Sequence, residues 1–330
     1  MDRRRLLTLG AAAAFFPQMA CAQTPSAAPV VASPKPVPAL KPPLESFKLW
    51  PNGAPGAENV TAKEDWILRN PGGDPNDTAA THVTDPILMV RRPKNPNGAA
   101  VLMIPGGGYV RVAVSRAGGG TDQWLADQGI TTFTMTYRLP ADGWAAGPQA
   151  PLQDAQRAIR LIRHRAAEFG IDPNHIGVIG FSAGGHLAGW LSESFGREFY
   201  APVDAADTLS TKPLVSGLFY PVMTMMAPYA HGGSVKQLFP NGATDEQKKP
   251  VSLELNVPKD MPPTFLAHAA DDRVVVAENS LMLYSALRAN KTPSELHIFE
   301  KGGHGLRTDG KDEPFMELWL PFAKRHGLLG

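Results

Sequence analysis

Short apolar runs alternate with helix-like stretches along most of the chain, and this alternation restricts the fold more than any other feature. The runs are rich in β-branched and aromatic residues, which are typical of strands. The stretches between them carry apolar residues at helical spacing. Strands separated by helices predict parallel β-α-β units with right-handed crossovers. We therefore expect an α/β protein with a mostly parallel, twisted sheet and helices on both faces.

The predicted elements follow one another from residue 99 to residue 326. The predicted strands are 99–105, 130–137, 175–180, 215–220, 264–269 and 295–299, and the predicted helices are 121–128, 151–169, 183–194, 278–290 and 312–326. Active sites in parallel sheets lie at the carboxyl ends of the strands. Catalytic residues are therefore expected in the segments that follow these strands.

The first 44 residues differ from the rest of the chain. Arg3-Arg4-Arg5 precedes an apolar run, and Ala20-Cys21-Ala22 forms an A-x-A cleavage site, which predicts an export signal over residues 1–22 that resembles a twin-arginine signal. Lipid anchoring at Cys21 stays open. Seven prolines in residues 23–43 predict a Pro-rich linker over 23–44. Residues 45–330 are expected to form one α/β domain, located in the periplasm or outside the cell.

The balanced charge gives no indication of a nucleic-acid partner. Lys and Arg number 32 against 31 Asp and Glu, so no basic field indicates nucleic acid. No membrane association is expected once the signal is removed. Apolar residues make up 43% and charged residues 19%, which is typical of a globular chain. The single cysteine excludes an intrachain disulfide.

The strongest motif is Gly180-Phe181-Ser182-Ala183-Gly184, a G-x-S-x-G sequence between a predicted strand and a predicted helix. In that setting the turn is so tight that side chains at both glycine positions would collide with neighbouring backbone. The serine hydroxyl is then lifted above the sheet edge, where the helix directs its free N–H groups. The motif therefore predicts a catalytic nucleophile at Ser182.

A serine nucleophile requires a base, and a histidine in turn requires an acid that orients it. His304 is the histidine that lies in a glycine-rich loop after a late strand, Lys301-Gly302-Gly303-His304-Gly305. Two adjacent aspartates follow the strand 264–269. We choose Asp272 as the acid because of its distance from the next helix, with Asp271 as the alternative. His186 and His268 are expected to be packed residues rather than the base.

Three glycines after the first predicted strand predict an oxyanion hole. They allow backbone N–H groups to turn toward a developing oxyanion. We assign the donors to Gly107 and Gly108, together with the N–H of Ala183. Tyr109 and Trp144 are candidate walls on which a sugar could stack, because aromatic rings offer flat apolar faces.

With these residues placed, the chain resembles the α/β-hydrolase esterases, and more narrowly bacterial carbohydrate esterases of the acetylxylan-esterase or feruloyl-esterase type. The resemblance covers the chain from about residue 47 onward. It is carried by the motifs LWPNGAPGA at 49–57, IPGGGY at 104–109, GFSAGGHLA at 180–188 and KGGHG at 301–305. Proline at position 105, where lipase-like relatives have histidine, separates the chain from that group.

The resemblance implies a serine esterase that removes acetyl groups from acetylated xylan or xylo-oligosaccharides through an acyl-enzyme. It implies no metal and no cofactor, and the sequence contains no zinc, P-loop or dinucleotide motif. A general short-chain esterase without sugar preference and a feruloyl esterase remain alternatives. A serine peptidase and a non-catalytic sugar-binding protein are further ones.

Overall fold

The structure is a computed structural model that describes residues 39–329. The predicted export signal and most of the predicted linker lie outside these residues. The last linker residues contact the domain, since the Leu44 N–H donates to the Arg116 carbonyl at 2.8 Å and the Lys41 N–H donates to Asn76 Oδ1 at 2.8 Å. Within the part of the chain that the structure describes, no helix is long and apolar enough to cross a membrane.

A mostly parallel sheet forms the centre of the fold. Strands β1–β4 are Glu45–Lys48, Asp65–Leu68, Thr78–Thr81 and Ile87–Arg91; β5–β8 are Ala100–Ile104, Thr131–Met135, Ile176–Phe181 and Ser216–Phe219; β9–β12 are Thr264–Ala269, Ser294–Phe299, Arg307–Thr308 and Lys311–Asp312. The large sheet has the order β1-β4-β6-β5-β7-β8-β9-β10. Six neighbouring strands of this sheet are parallel to one another, namely β6, β5, β7, β8, β9 and β10. Within this sheet only the β1–β4 and β4–β6 pairs are antiparallel.

Helices connect the parallel strands. The α-helices α1–α4 are Gly120–Asp127, Ala150–His164, Ala166–Phe169 and Ala183–Glu193, and α5–α8 are Gly232–Leu238, Asp245–Lys248, Glu278–Ala289 and Phe315–Arg325. Short 3₁₀ helices are Pro140–Asp142, Gly147–Gln149, Ala205–Thr208, Lys249–Val251 and Leu253–Leu255. Two buried apolar clusters cover the sheet, one containing residues of α2, α4 and α7 and the other containing residues of α1 and α8.

The structure corrects two predicted helices. The predicted helix 151–169 is divided at Arg165, where α2 ends and the short α3 begins. The predicted closing helix 312–326 starts only at Phe315, because Asp312 belongs to the small β11–β12 hairpin. Pro314 then takes the position before the first helical turn.

A buried ion pair supports the loop that follows β6. Arg138 Nε lies 2.9 Å from Asp154 Oδ1, and neither side chain is exposed. The other Asp154 oxygen accepts the backbone N–H of Arg138 at 2.7 Å, and Oδ1 also accepts Trp50 Nε1–H at 2.7 Å. These contacts supply the hydrogen bonds that a buried charged pair requires.

Candidate active site

Ser182 lies in the turn between β7 and α4, and its backbone is held in a strained conformation. Its φ is 54° and its ψ is −121°, a region that residues other than glycine rarely adopt. Its N–H donates to the Phe219 carbonyl at 3.0 Å, and its carbonyl accepts the N–H groups of His186 and Val222. These bonds from neighbouring elements hold the turn in place against its strain.

The glycines around Ser182 allow three backbone segments to approach closely. A Cβ atom at Gly180 would lie 2.2 Å from the Gly184 carbonyl oxygen, and one at Gly184 would lie 2.2 Å from the Ile104 oxygen. A Cβ atom at Gly106 would lie 3.0 Å from the Ser182 Cβ. The steric reason inferred for the two motif glycines therefore applies here, and the glycine run after β5 lies directly beside Ser182.

The structure brings Ser182, His304 and Asp272 into one hydrogen-bonded line. His304 Nε2 lies 2.8 Å from Ser182 Oγ, and His304 Nδ1 lies 2.8 Å from Asp272 Oδ2. An ionised carboxylate only accepts hydrogen bonds, so Nδ1 carries the proton and Nε2 is free to accept the serine proton. Such an arrangement can convert a hydroxyl into a nucleophile.

Asp272 is buried in a set of donors that favours its charged form. Its Oδ1 accepts the backbone N–H groups of Val274 at 2.8 Å and Val275 at 3.0 Å. Burial raises the pKa of Asp272, but hydrogen bonds from His268 and His304, the charge of His304 and the Val275 N–H outweigh it and hold that pKa well below its ordinary value. The carboxylate is therefore ionised across the neutral pH range.

Asp271, the alternative acid, has a different contact. It is exposed, and its Oδ1 accepts the backbone N–H of Gly303 at 2.8 Å. The structure thus places Asp272, and not Asp271, against the His304 ring, while Asp271 holds the loop that carries this ring.

Two further side chains support the line. His268 is fully buried. Its Nε2 lies 2.8 Å from the Val275 carbonyl oxygen and 3.3 Å from Asp272 Oδ2, while its Nδ1 contacts Ser280 Oγ at 2.8 Å. Tyr220 packs its ring edge-on against the His304 ring, with centroids 5.0 Å apart. The sequence identified His268 as a packed residue, but it gave no signal for Tyr220, because this contact depends on how the strand ends align.

The N–H groups of Gly107, Gly108 and Ala183 are available as donors. Among residues 39–329, none of the three donates a hydrogen bond to another protein group. Gly107 and Gly108 have φ values of 137° and 64°. A Cβ atom at Gly107 would lie 2.1 Å from the Arg111 carbonyl oxygen, so only glycine fits there. Ala183 begins α4, whose positive end points the same way as its N–H.

Tyr109 and Trp144 are buried, which corrects the expectation that they form sugar-stacking walls. Tyr109 is 0% exposed and Trp144 is 4% exposed. The Tyr109 hydroxyl lies 2.7 Å from His186 Nδ1, and His186 Nε2–H donates to the Val251 carbonyl at 2.8 Å. The Arg138 guanidinium lies over the Trp144 ring, and its Cζ atom is 4.9 Å from the ring centroid. A ring enclosed in the core offers no face to a sugar.

No group of three or more His, Cys, Asp and Glu side chains within residues 39–329 is arranged to hold a metal ion.

The α/β-hydrolases are defined by a serine on a strand-to-helix turn. This serine is joined to a histidine and an aspartate from the ends of later parallel strands, as in this chain. Within this class the chain belongs to the BD-FAE family, whose model matches residues 87–287. The predicted fold class and the resemblance to bacterial carbohydrate esterases are thereby confirmed.

Three known proteins illustrate the similarity. Endo-1,4-beta-xylanase B of Butyrivibrio fibrisolvens is 35% identical over 65% of this chain and 33% of its own length. Acetylxylan esterase of Xylanibacter ruminicola is 33% identical over 65% of this chain and 42% of its own length. The crystal structure of the acetyl ester-xyloside bifunctional hydrolase from Caldicellulosiruptor lactoaceticus is 32% identical, covers 89% of this chain and 100% of that chain, and has a TM-score of 0.69. The alignments thus span less than half of the length of the two curated relatives.

Proposed function

We propose that this protein is a serine carboxylic-ester hydrolase that removes acetyl groups from acetylated xylan or xylo-oligosaccharides. The observation that carries the proposal is the line from Ser182 Oγ through His304 to the buried Asp272, with 2.8 Å at each step. The names of the acetylxylan esterase and the acetyl ester-xyloside hydrolase favour acetylated xylo-sugars as the substrate class.

In the proposed mechanism, Ser182 Oγ attacks the ester carbonyl while His304 Nε2 takes its proton. The N–H groups of Gly107, Gly108 and Ala183 stabilise the oxyanion, which forms as the carbonyl carbon becomes tetrahedral. The C–O bond to the sugar then breaks, and His304 returns the proton to the leaving sugar oxygen. A water molecule, activated by the same histidine, hydrolyses the acetyl-serine and releases acetate. Asp272 keeps His304 in the required tautomer throughout.

A general short-chain esterase without sugar preference is the second candidate. The burial of Tyr109 and Trp144 favours it, because these rings were the predicted sugar contacts. Both candidates use the same mechanism and differ only in the alcohol part of the ester.

The test is acetate release from acetylated xylo-oligosaccharides, with p-nitrophenyl acetate and butyrate measured in parallel. The parent protein is expected to release acetate from the sugars, and Ser182→Ala is expected to release none while unfolding at a similar temperature. Activity on the nitrophenyl esters without activity on the sugars would contradict the sugar assignment and favour the second candidate. Activity retained by Ser182→Ala would contradict the serine mechanism.

We also propose that the enzyme works after export. The support is the sequence of residues 1–22, with its arginines, its apolar run and the A-x-A site at residues 20–22. N-terminal sequencing of the mature protein from its native host is expected to begin at Gln23. A chain that begins at a lipid-modified Cys21 would contradict cleavage after Ala22, and an uncleaved chain in the cytoplasm would contradict export.

A further inference from the structure

His231 is a histidine near the candidate active site that the proposed mechanism does not use. It precedes α5 and is half-buried. A Cβ atom built on Gly108 would lie 3.9 Å from His231 Cε1, which is ordinary van der Waals contact. The imidazole edge therefore packs beside the glycine loop that offers the proposed oxyanion donors. The sequence gave no signal for this histidine, because it lies far along the chain from that loop.

The hydrogen bonds of His231 define which nitrogen carries the proton. Its Nδ1 accepts the backbone N–H of Ser234 at 3.2 Å and also lies 2.9 Å from Ser234 Oγ. A nitrogen that accepts a backbone N–H carries no proton of its own, so in the neutral ring Nε2 is the donor. Burial, together with the charge of His304, lowers the pKa of His231, which favours this neutral form.

The Nε2–H group has no protein partner in residues 39–329, since the hydrogen bonds of His231 there are made through Nδ1 and the backbone. Gly233 leaves open space beside the His231 Nε2–H group. A Cβ atom at Gly233 would lie 2.9 Å from Cε1 and 3.3 Å from Nε2, so a side chain at that position would displace the ring. The donor edge thus lies between two residues without side chains, Gly108 and Gly233.

We propose that His231 Nε2–H donates a hydrogen bond to an oxygen of the sugar part of the ester and so holds the acylated sugar beside the glycine loop. The inference rests on the proposed function, because it assumes a bound sugar ester. The oxyanion already has three backbone donors. Gly106 is the glycine next to Ser182, whereas Gly108 is the glycine next to His231. The imidazole therefore lies at the end of the glycine run away from Ser182, and we place the alcohol part of the ester at that end.

The test compares kcat/KM for an acetylated xylo-oligosaccharide with kcat/KM for p-nitrophenyl acetate, whose alcohol part has no hydroxyl groups. His231→Leu is expected to lower the sugar-to-nitrophenyl ratio by about three- to tenfold, the range for one hydrogen bond between neutral groups. The loss is expected mainly as a higher KM for the sugar. His231→Gln, which retains a donor, is expected to recover part of the ratio.

Gly233→Ala keeps the imidazole but displaces it, and it is expected to lower the ratio in the same direction. His326→Leu, a histidine substitution at the end of α8, is the matched control and is expected to leave the ratio unchanged. A ratio that His231→Leu and Gly233→Ala leave at the parent value would overturn the inference. Equal losses on both esters would also overturn it, because they would indicate a role at the oxyanion or in folding. Failure of the parent protein on the sugar ester would instead contradict the proposed function, so the two failures are distinct.

Discussion

Replacing Asp272 with asparagine tests the proposed role of the acid without changing its size. Oδ1 of Asp272 accepts two backbone N–H groups, from Val274 and Val275. An asparagine at this position has to place its amide oxygen there, because its NH₂ group would meet two donors. The NH₂ group then occupies the Oδ2 position, 2.8 Å from His304 Nδ1.

The substitution therefore reverses the histidine tautomer. His304 Nδ1 has to accept the amide proton, so its own proton moves to Nε2, which faces Ser182 Oγ and can no longer accept the serine proton. Enzymes with a serine–histidine–aspartate triad lose about 10⁴-fold in kcat from this change, or about 5 kcal/mol of transition-state stabilisation. We expect a loss of roughly 10³- to 10⁴-fold in kcat for Asp272→Asn.

The assay is hydrolysis of p-nitrophenyl acetate by Asp272→Asn and by the matched variant Asp271→Asn, with thermal unfolding of each. Asp271 only accepts the Gly303 N–H, and an asparagine oxygen can do the same. A loss of less than about threefold is therefore expected for Asp271→Asn, on the scale of one weakened hydrogen bond. A larger loss of activity in Asp271→Asn than in Asp272→Asn would refute the assignment of Asp272 as the acid. A loss of less than tenfold in folded Asp272→Asn would also refute it.

Two further substitutions test the tight turn around Ser182 and the buried His186. Gly184→Ala is expected to cost roughly 3 kcal/mol of unfolding free energy and most of the activity, because its Cβ would lie 2.2 and 2.4 Å from backbone oxygens. Gly120→Ala, with open space around its Cβ, is the control, and equal melting temperatures for the two variants would contradict the steric argument. Burial lowers the pKa of His186 from 6.5 to about 4, so the unfolded chain binds a proton there that the folded chain does not. The free energy of unfolding is therefore expected to fall by about 3 kcal/mol as the pH drops from 6.5 toward 4. Urea unfolding of His186→Gln at several pH values is expected to show a weaker pH dependence than that of the parent. An unchanged pH dependence would contradict the role assigned to His186.

The parallel part of the fold could be predicted because each of its strands is a compact apolar run between helices. Strand β9 lies at residues 264–269 as predicted, and β5, β6, β7, β8 and β10 begin and end within two residues of their predicted bounds. Strands β1–β4 were not predicted. Strands β1–β3 have four residues each, and β1 and β2 are largely exposed, so their sequences carry little apolar alternation. Strand β4 is a buried apolar run, but no helix separates it from β3 or β5 along the chain, so the strand–helix alternation does not indicate it. The pairing of β1 with β4 and of β4 with β6 depends on contacts between distant parts of the chain.

The chemistry of the site was easier to predict than its surroundings. The G-x-S-x-G motif combines a strand, a strained turn and a helix in five residues, so the sequence states its geometry locally. The choice between Asp271 and Asp272 is harder, because the two residues are adjacent and differ only in the direction that the turn gives each side chain. The burial of Tyr109 and Trp144 and the approach of His231 to Gly108 depend on packing between distant segments, and composition or spacing carries no signal for them.

The most direct test of the account is covalent labelling of the parent protein with a fluorophosphonate, followed by intact mass and peptide mapping. A fluorophosphonate reacts with a serine that an adjacent base has activated, and the trapped tetrahedral adduct requires the oxyanion donors. One adduct per chain is expected on Ser182, with none on Ser182→Ala and much slower labelling of Asp272→Asn. Labelling of another residue, or no labelling of the folded parent protein, would contradict the claim that Ser182 is the nucleophile.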